Sequence, residues 1–513
     1  VIERVPVFPE TTDAPSAWYM RLANRLHAQT RPWVIRRELL FQPGGLVDST
    51  RVVESERLLR ERGIFESVRI RIAQGDSGKV AIVRAQDLWT LGIIANFDKT
   101  ADLTSVTLGI RDTNLLGTGN YVHTYHTFSS DQGVTVVSTA IPRIGRRRAG
   151  AGFAFADQED ARALSLSLGR GIETRFDRTS WGAIANSVTG SRRFFFRGDE
   201  IGKSPYRHEH YGLYAARFRG AGLQRGVGIG WIEQREAPRD APFSSAFGFD
   251  PPPPIEKLHV GGPTVFVDLL DRSYVTSTNL ERYGSTEDVP TGWSAHLAVV
   301  PNVHHHDDPS RTIAVRSVAQ FATFLHPKLE AGGELSGLTF MRAGGRRGEQ
   351  IGRATATVRW TPSPAAMAIA QAAVRGGRDR PESEIFYLGS ETGLRGFPSR
   401  EIAARNFVMA TVEQRFWSGA EYFWTGIGAN LFADTARPTV DGRFNDEPWR
   451  TGWGLGLLLG ARKSSQQPVR IEIAWRTDRH ASPTFSITSG TWLRIIPPLG
   501  LLFPVGDLRD GLR

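Results

Sequence analysis

Val469-Arg470-Ile471-Glu472-Ile473-Ala474-Trp475-Arg476 alternates between two kinds of residue along its whole length. Successive side chains of an extended strand point to opposite faces. Val469, Ile471, Ile473 and Trp475 therefore share one face, and Arg470, Glu472, Ala474 and Arg476 share the other. The texture recurs far upstream, where Val106, Leu108 and Ile110 alternate with Thr107, Gly109 and Arg111. From Leu88 onward such segments follow one another almost to the end, separated by Gly, Asp, Asn and Pro. A soluble sandwich strand also alternates, with its apolar face on a compact core. One sandwich is too short to account for this run. A transmembrane antiparallel β-barrel, apolar outside and polar inside, explains both the length and the alternation.

Composition narrows the class. Of 513 residues, 40% are hydrophobic and 23% charged, which excludes a mostly disordered chain. The absence of cysteine fits an oxidising envelope compartment. No apolar run reaches the roughly 18 to 20 residues of a transmembrane helix, and Val1 is not followed by the charged and apolar regions of a signal peptide. The net charge of +10 and pI of about 10.0 invite a nucleic-acid reading. However, Lys+Arg 63 are spread along the chain among Asp+Glu 53, with no zinc-ligand spacing, aromatic RNA-binding motif or basic helix. The clusters Arg146-Arg147-Arg148 and Arg192-Arg193 fall at predicted turns, where they meet lipid phosphates or water. No Gly-x-Ser-x-Gly elbow, phosphate loop or His-Glu-x-x-His occurs, so no enzyme and no cofactor is expected. His304-His305-His306-Asp307-Asp308 reads as a solvated loop rather than a metal site, because adjacent histidines cannot all face one ion.

Residues 1–87 differ in texture. Ile2, Val5 and Val7 make a short strand, and Trp18, Leu22 and Leu26 lie four apart on one face of a helix over 17–28. A second helix runs from about Thr50 to Arg62, with Asp48-Ser49 before it and Gly63 as its stop. Gly63-Ile64-Phe65 leads into an alternating strand to Ile72, and 80–83 offers another. The order strand, helix, helix, strand, strand, with its helix–Gly-Ile-Phe–strand junction, resembles a POTRA domain, the periplasmic module of the Omp85 superfamily.

Motifs within the long β region carry the same resemblance. Asn114-Leu115-Leu116-Gly117-Thr118-Gly119 is similar to a turn of Omp85 barrels, and Val289-Pro290-Thr291-Gly292 to another. Both are also simply good turn chemistry. In Gly393-Leu394-Arg395-Gly396-Phe397, two glycines flank an arginine whose charge never titrates away and therefore needs an acceptor. Leu394, Arg395, Gly396 and Phe397 resemble the motif of an inward-folded extracellular loop of that superfamily. There the arginine locks onto a Phe-x-Asp motif of the inner wall, matched here by Phe432-Ala433-Asp434. The glycine often found after that motif is replaced by Thr435-Ala436. Strand parity adds an independent argument. Ile427, Ala429 and Leu431 suit lipid, which turns Asn430, Phe432 and Asp434 inward; Val408, Ala410 and Val412 suit lipid, which turns Thr411, Glu413 and Arg415 inward. Glu413 and Asp434 are thus expected to bracket Arg395.

The resemblance implies a mainly β protein: one POTRA-like domain (1–87), a barrel of sixteen strands (88–493) with an inward loop around 376–404, and a tail (494–513). Five strand candidates follow the arginine turn, at about 405–417, 421–433, 451–461, 468–476 and 483–493. About fourteen precede it, where sixteen strands would require eleven. Segments 193–197 and 365–374 are therefore candidates for demotion, the latter as a short helix, and 191–206 and 237–256 are read as long loops. The first strand, about 91–97, and the last, about 484–493, would meet at a seam. In function the resemblance implies an outer-membrane insertion factor for β-barrel proteins. The alternatives are a translocation pore for a dedicated passenger protein and a passive structural barrel or surface antigen. The expected partners are outer-membrane lipids including lipopolysaccharide, and unfolded β-barrel clients or a secreted passenger.

Overall fold

In the computed structural model the alternation resolves into a closed barrel. The structure describes the chain except residues 10–16, 77, 100–103, 131, 146–147, 240–243, 246–256, 279, 281, 306–307, 343–346, 380–384, 423–424, 440–446, 465–466, 479–482 and 490–513. The leading unit comprises β1 (Ile2–Val5), α1 (Trp18–Leu26), α2 (Pro32–Arg36), α3 (Ser49–Glu61), β2 (Phe65–Gly75) and β3 (Gly78–Asp87). β3 is central, parallel to β1 and antiparallel to β2. Asp48 caps α3 by accepting from the Thr50 and Arg51 amides, satisfying donors the helix leaves unpaired. Val34, Ile35, Leu59, Ile64, Phe65, Val68 and Val83 form the core.

The barrel begins with β4 (Leu91–Lys99), β5 (Thr104–Asp112), β6 (Tyr121–Ser129), β7 (Val134–Ile144), β8 (Ala149–Gln158) and β9 (Ala161–Arg170). It continues through β10 (Thr179–Phe196), β11 (Asp199–Arg219), β12 (Gln224–Pro238) and a two-residue piece, β13 (Ser244–Ser245). Then come β14 (Leu258–Thr278), β15 (Thr286–His305), β16 (Asp308–His326), β17 (Leu329–Arg342), β18 (Arg347–Ser363) and β19 (Ala366–Arg378). A loop carrying the small hairpin β20 (Phe386–Leu388) and β21 (Ile402–Ala404) leads to β22 (Asn406–Tyr422). β23 (Thr425–Thr439), β24 (Arg450–Ala461), β25 (Val469–Arg476) and β26 (Thr484–Ser489) complete the wall, and β26 pairs back to β4.

Leaving aside β13, which is bypassed because β12 pairs directly with β14, the barrel has twenty strands and not sixteen. Fifteen precede the arginine loop and five follow it. The additions come from segments the sixteen-strand expectation demoted. Ala366–Arg378 is a wall strand paired on both sides, with β18 and with β22. Residues 191–206 are no loop: β10 and β11 stay paired out to Phe196 opposite Asp199, with one register shift between Phe194 and Phe195. Arg192 and Arg193 accordingly lie on a strand, where Arg192 pairs with Glu236. The leading unit is corrected as well. Its described residues form three helices where the sequence predicts two, α2 being the addition, which makes a small α+β unit and not the expected POTRA domain. Most of 237–256, the side chains of His304–His306 and the tail lie outside the described residues.

Outward positions are apolar and exposed, as with Leu164, Leu166 and Leu168 on β9, Val227, Ile229 and Trp231 on β12, and Trp453, Leu455 and Leu457 on β24. Inward positions carry paired polar groups such as Ser165 with Asn186, His296 with Asp268, and Arg359 with Glu330. This is the arrangement of a transmembrane barrel. No described helix is long and apolar enough to cross a membrane.

The α+β unit covers the end of the barrel that carries the β5–β6 and β9–β10 turns. Asn114 Nδ2 of the β5–β6 turn donates to Thr30 Oγ1 (2.8 Å), and Arg62 donates to the Gly119 carbonyl (2.8 Å). Fully buried Glu38 accepts from Arg143 on β7 (3.1 Å). Arg57 donates to the Glu173 carbonyl (2.8 Å) and stacks on Tyr274 (4.1 Å). Arg60 grips Asp288 of β15 through two bonds, at 2.7 and 3.1 Å. Burial alone would lower the Arg60 pKa, but Asp288 and Glu56 outweigh it and hold it above its usual value. The contacts reach turns from both halves of the ring, so the unit spans the mouth.

Candidate functional site

The loop between β19 and β22 folds into the lumen and delivers Arg395 to the inner wall, where the residue is 5% exposed. Gly393 (φ +95°) and Gly396 (φ +90°) supply the left-handed backbone that turns the chain around it. Leu394 and Phe397 face a small apolar core with Leu388, Ala404 and Ala436, which holds the turn from behind.

Asp434 meets Arg395 as a fork: Nε donates to Oδ2 and Nη2 to Oδ1, both at 2.8 Å. The Arg395 amide adds a third bond to Oδ2 (3.1 Å), and the Thr411 hydroxyl a fourth to Oδ1 (2.7 Å). Nη1 reaches Glu413 (3.1 Å) and Glu472 (3.2 Å). The guanidinium carbon stands 3.4 Å from the centre of the Phe432 ring, giving a cation–π contact. Arg415 donates to Glu413 (2.6 Å), and Arg470 to Glu413 (2.7 Å) and Glu472 (3.2 Å). Arg395, Arg415 and Arg470 thus face Glu413, Asp434 and Glu472, a neutral cluster in which each of these six residues is at most 7% exposed. Paired, hydrogen-bonded and dry, such groups hold one geometry, and removing one member exposes the rest to the full cost of burial.

The structure brings together every residue the sequence singled out: Leu394, Arg395, Gly396, Phe397, Glu413, Phe432 and Asp434. Sequence reasoning missed Glu472, Arg470 and the glycines that let the loop approach. The inward positions of β24 nearest the site are Gly452, Gly454 and Gly456. A Cβ on Gly452 would lie 2.0 Å from the Arg395 carbonyl oxygen, and one on Gly454 would strike the Phe432 ring at 2.4 Å. Without side chains on β24, Arg395 reaches across that strand to Glu472 on β25. The signal was the run Gly452-Trp453-Gly454-Leu455-Gly456, whose outward residues are large and whose inward ones are absent.

A second anchor holds the other side of the loop. The Phe195 amide of β10 donates to the Tyr387 hydroxyl (2.9 Å), the two rings meet edge-on at 5.2 Å, and the Arg400 guanidinium lies 4.5 Å over the Phe195 ring. β10 is the seventh strand of the ring and β23 the seventeenth of twenty, so the loop is a strut between opposite walls.

Among the described residues the seam has fewer registered pairs than any other junction between successive wall strands. β26 and β4 share three registered pairs, Phe485–Lys99, Ser486–Asp98 and Ile487–Phe97, whereas β26 and β25 share six.

Comparison with solved structures returns matches of low likeness. BamA from Haemophilus ducreyi lacking POTRA domains 1–3 is 12% identical with a TM-score of 0.37, covering 95% of this chain and 84% of that one. CdiB from Acinetobacter baumannii is 12% identical with a TM-score of 0.46, covering 91% and 73%. BauA, the ferric preacinetobactin receptor of the same species, is 8% identical with a TM-score of 0.39, covering 83% and 85%. These likenesses concern architecture and support no conclusion about activity. No protein-family profile and no curated protein matches the chain.

Proposed function

We propose that the protein resides in a bacterial outer membrane and inserts other β-barrel proteins through its seam, as an Omp85-type assembly factor. The observation that carries this reading is the three-pair contact between β26 and β4. With a net gain of about 1 kcal/mol per hydrogen bond, the three pairs of the described residues hold less than the six between β25 and β26 or the nine between β4 and β5. An opened seam presents unpaired backbone groups, a template to which an incoming strand adds by edge pairing. The cross-lumen strut favours this route over export of a passenger through the lumen, because Arg395 and Tyr387 stand in that path. The partners in this reading are unfolded β-barrel clients and the surrounding lipid, including lipopolysaccharide.

A disulfide across the seam tests it. Phe97 and Ile487 are direct partners, and facing residues of an antiparallel pair lie within disulfide reach. The chain has no other cysteine to interfere. The Phe97→Cys/Ile487→Cys chain, reconstituted in vesicles, should lose client insertion when oxidised and regain it on reduction. Full insertion by the oxidised protein would refute the seam mechanism. Depletion in the native host should lower many barrel proteins; loss of a single secreted protein would assign the exporter role instead.

A further inference from the structure

Helix α1 is packed against its own pattern. Trp18, Leu22 and Leu26 form one row and are 69%, 47% and 68% exposed, while Arg21 and Arg25, beside that row, are exposed too. The other side is half-buried and mixed, with Met20 and Ala23 beside Asn24, whose Oδ1 accepts from the Phe8 amide (3.2 Å) and whose Nδ2 donates to the Phe8 carbonyl (2.7 Å). A helix of a soluble unit turns its apolar stripe to the core; this one turns it away.

Its position says what covers it. His27, which ends the helix, stacks near Trp89 (6.0 Å), just before β4 enters the wall at the seam. Four residues further on, the Arg31 amide donates to the Gly117 carbonyl of the β5–β6 turn (2.9 Å). That turn shows an exposed Leu116, held at φ +51°, a conformation leucine rarely adopts. Beside it the outward belt of β4 starts with exposed Leu91 and Ile93. The apolar row of α1, the outward leucine of the turn and the lower edge of the lipid-facing belt thus lie on adjoining segments. Arginines between a tryptophan and two leucines suit a phospholipid surface, since their stems lie on apolar atoms and their guanidiniums reach phosphate.

We propose that α1 is an interfacial anchor, its Trp18, Leu22 and Leu26 inserted into the phospholipid leaflet beside the β26–β4 seam, with Arg21 and Arg25 at the headgroups. The anchor rests on the membrane reading of the barrel. It fixes the α+β unit to the bilayer beside the junction with the fewest described pairs.

The test uses the full chain folded into phosphatidylethanolamine/phosphatidylglycerol vesicles, with a polarity-sensitive fluorophore on one introduced cysteine. Leu22→Cys reports the anchor, Ile93→Cys the barrel belt, and Leu46→Cys an exposed site elsewhere on the same unit. With brominated phospholipid, the label at position 22 should lose at least about half as much fluorescence as the label at 93, given an interfacial depth of ~5–10 Å. The label at 46 should lose none. Adding Trp18→Glu and Leu26→Glu should return position 22 to the behaviour of 46. Quenching at 93 without quenching at 22 overturns the anchor and leaves the barrel standing; absence of quenching at 93 sinks both. Shielding at 22 only when an unfolded barrel precursor is added assigns the face to clients and refutes lipid.

Discussion

Replacing Arg395 with alanine removes the only cation that touches Asp434 among the described residues. The change deletes two forked bonds at 2.8 Å, the contacts to Glu413 and Glu472, and the stack on Phe432. Glu413 keeps Arg415 and Arg470, and Glu472 keeps Arg470 and Asn430. Asp434 keeps the Thr411 hydroxyl and the amide of residue 395, and the cluster passes from neutral to one net negative charge. Stranding a buried carboxylate costs about 3–5 kcal/mol, a shift of roughly two to three and a half powers of ten between docked and released loop. The thermal midpoint of the folded barrel in detergent, read by the mobility difference between heated and unheated samples, should fall clearly. Arg162→Ala is the control, because that arginine is 76% exposed and pairs only at the surface with Asp157. Arg193→Ala would serve less well as a control, since Arg193 bonds Glu200 and stacks on Phe195. Asp434→Asn should resemble Arg395→Ala, and the double variant should lose less than the sum. Equal midpoints for Arg395→Ala and Arg162→Ala would refute the lock.

Gly452→Ala places a methyl group 2.0 Å from the Arg395 carbonyl, against backbone that cannot rotate away. It should displace the loop and lower the thermal midpoint as Arg395→Ala does, with little further loss when both are combined. Asp288→Asn weakens the forked bond from Arg60 that ties α3 to β15, at a cost of about 1–3 kcal/mol. Limited proteolysis should then release the α+β unit faster while the barrel stays intact; an unchanged cleavage rate would show that Arg143 and Arg57 hold the unit without it.

The parity of β22 and β23 was legible because one slip of register exchanges every side chain between lipid and lumen. Val412 and Leu431 had to be outside, so Glu413 and Asp434 had to be inside. The strand number was less legible, and for an instructive reason. Counting segments gave about fourteen before the arginine turn, close to the fifteen observed. The resemblance to a sixteen-stranded family argued that count down and turned Ala366–Arg378 into a doubtful helix. Alanine is a good helix former, yet the segment pairs on both sides, so tertiary context overrode propensity. Glu472 stayed hidden for a different cause. It lies two strands beyond Asp434, and only the empty inward face of β24 brings it within reach. The stripe on α1 was legible as a stripe, but periodicity alone does not say whether protein or lipid covers it.

The lock and the seam are neighbours, and their strengths are graded along the wall. Arg395 binds β22 through Glu413, β23 through Asp434 and β25 through Glu472, so one side chain staples three strands of one wall. The staple stops at β25. The next strand, β26, has six described residues, six pairs to β25 and three to β4. It can therefore peel from β4 without disturbing a bond of the cluster, and the seam should open while the lock stays shut. Hydrogen exchange of the reconstituted barrel separates the two events. Amides of β26 and of 97–99 should exchange well before those of β23, because local opening needs only the contacts it breaks. Arg395→Ala should accelerate exchange in β23 while changing β26 little. If β26 and β23 exchange together in the unaltered protein, the wall opens as one unit, and lock and seam are a single device.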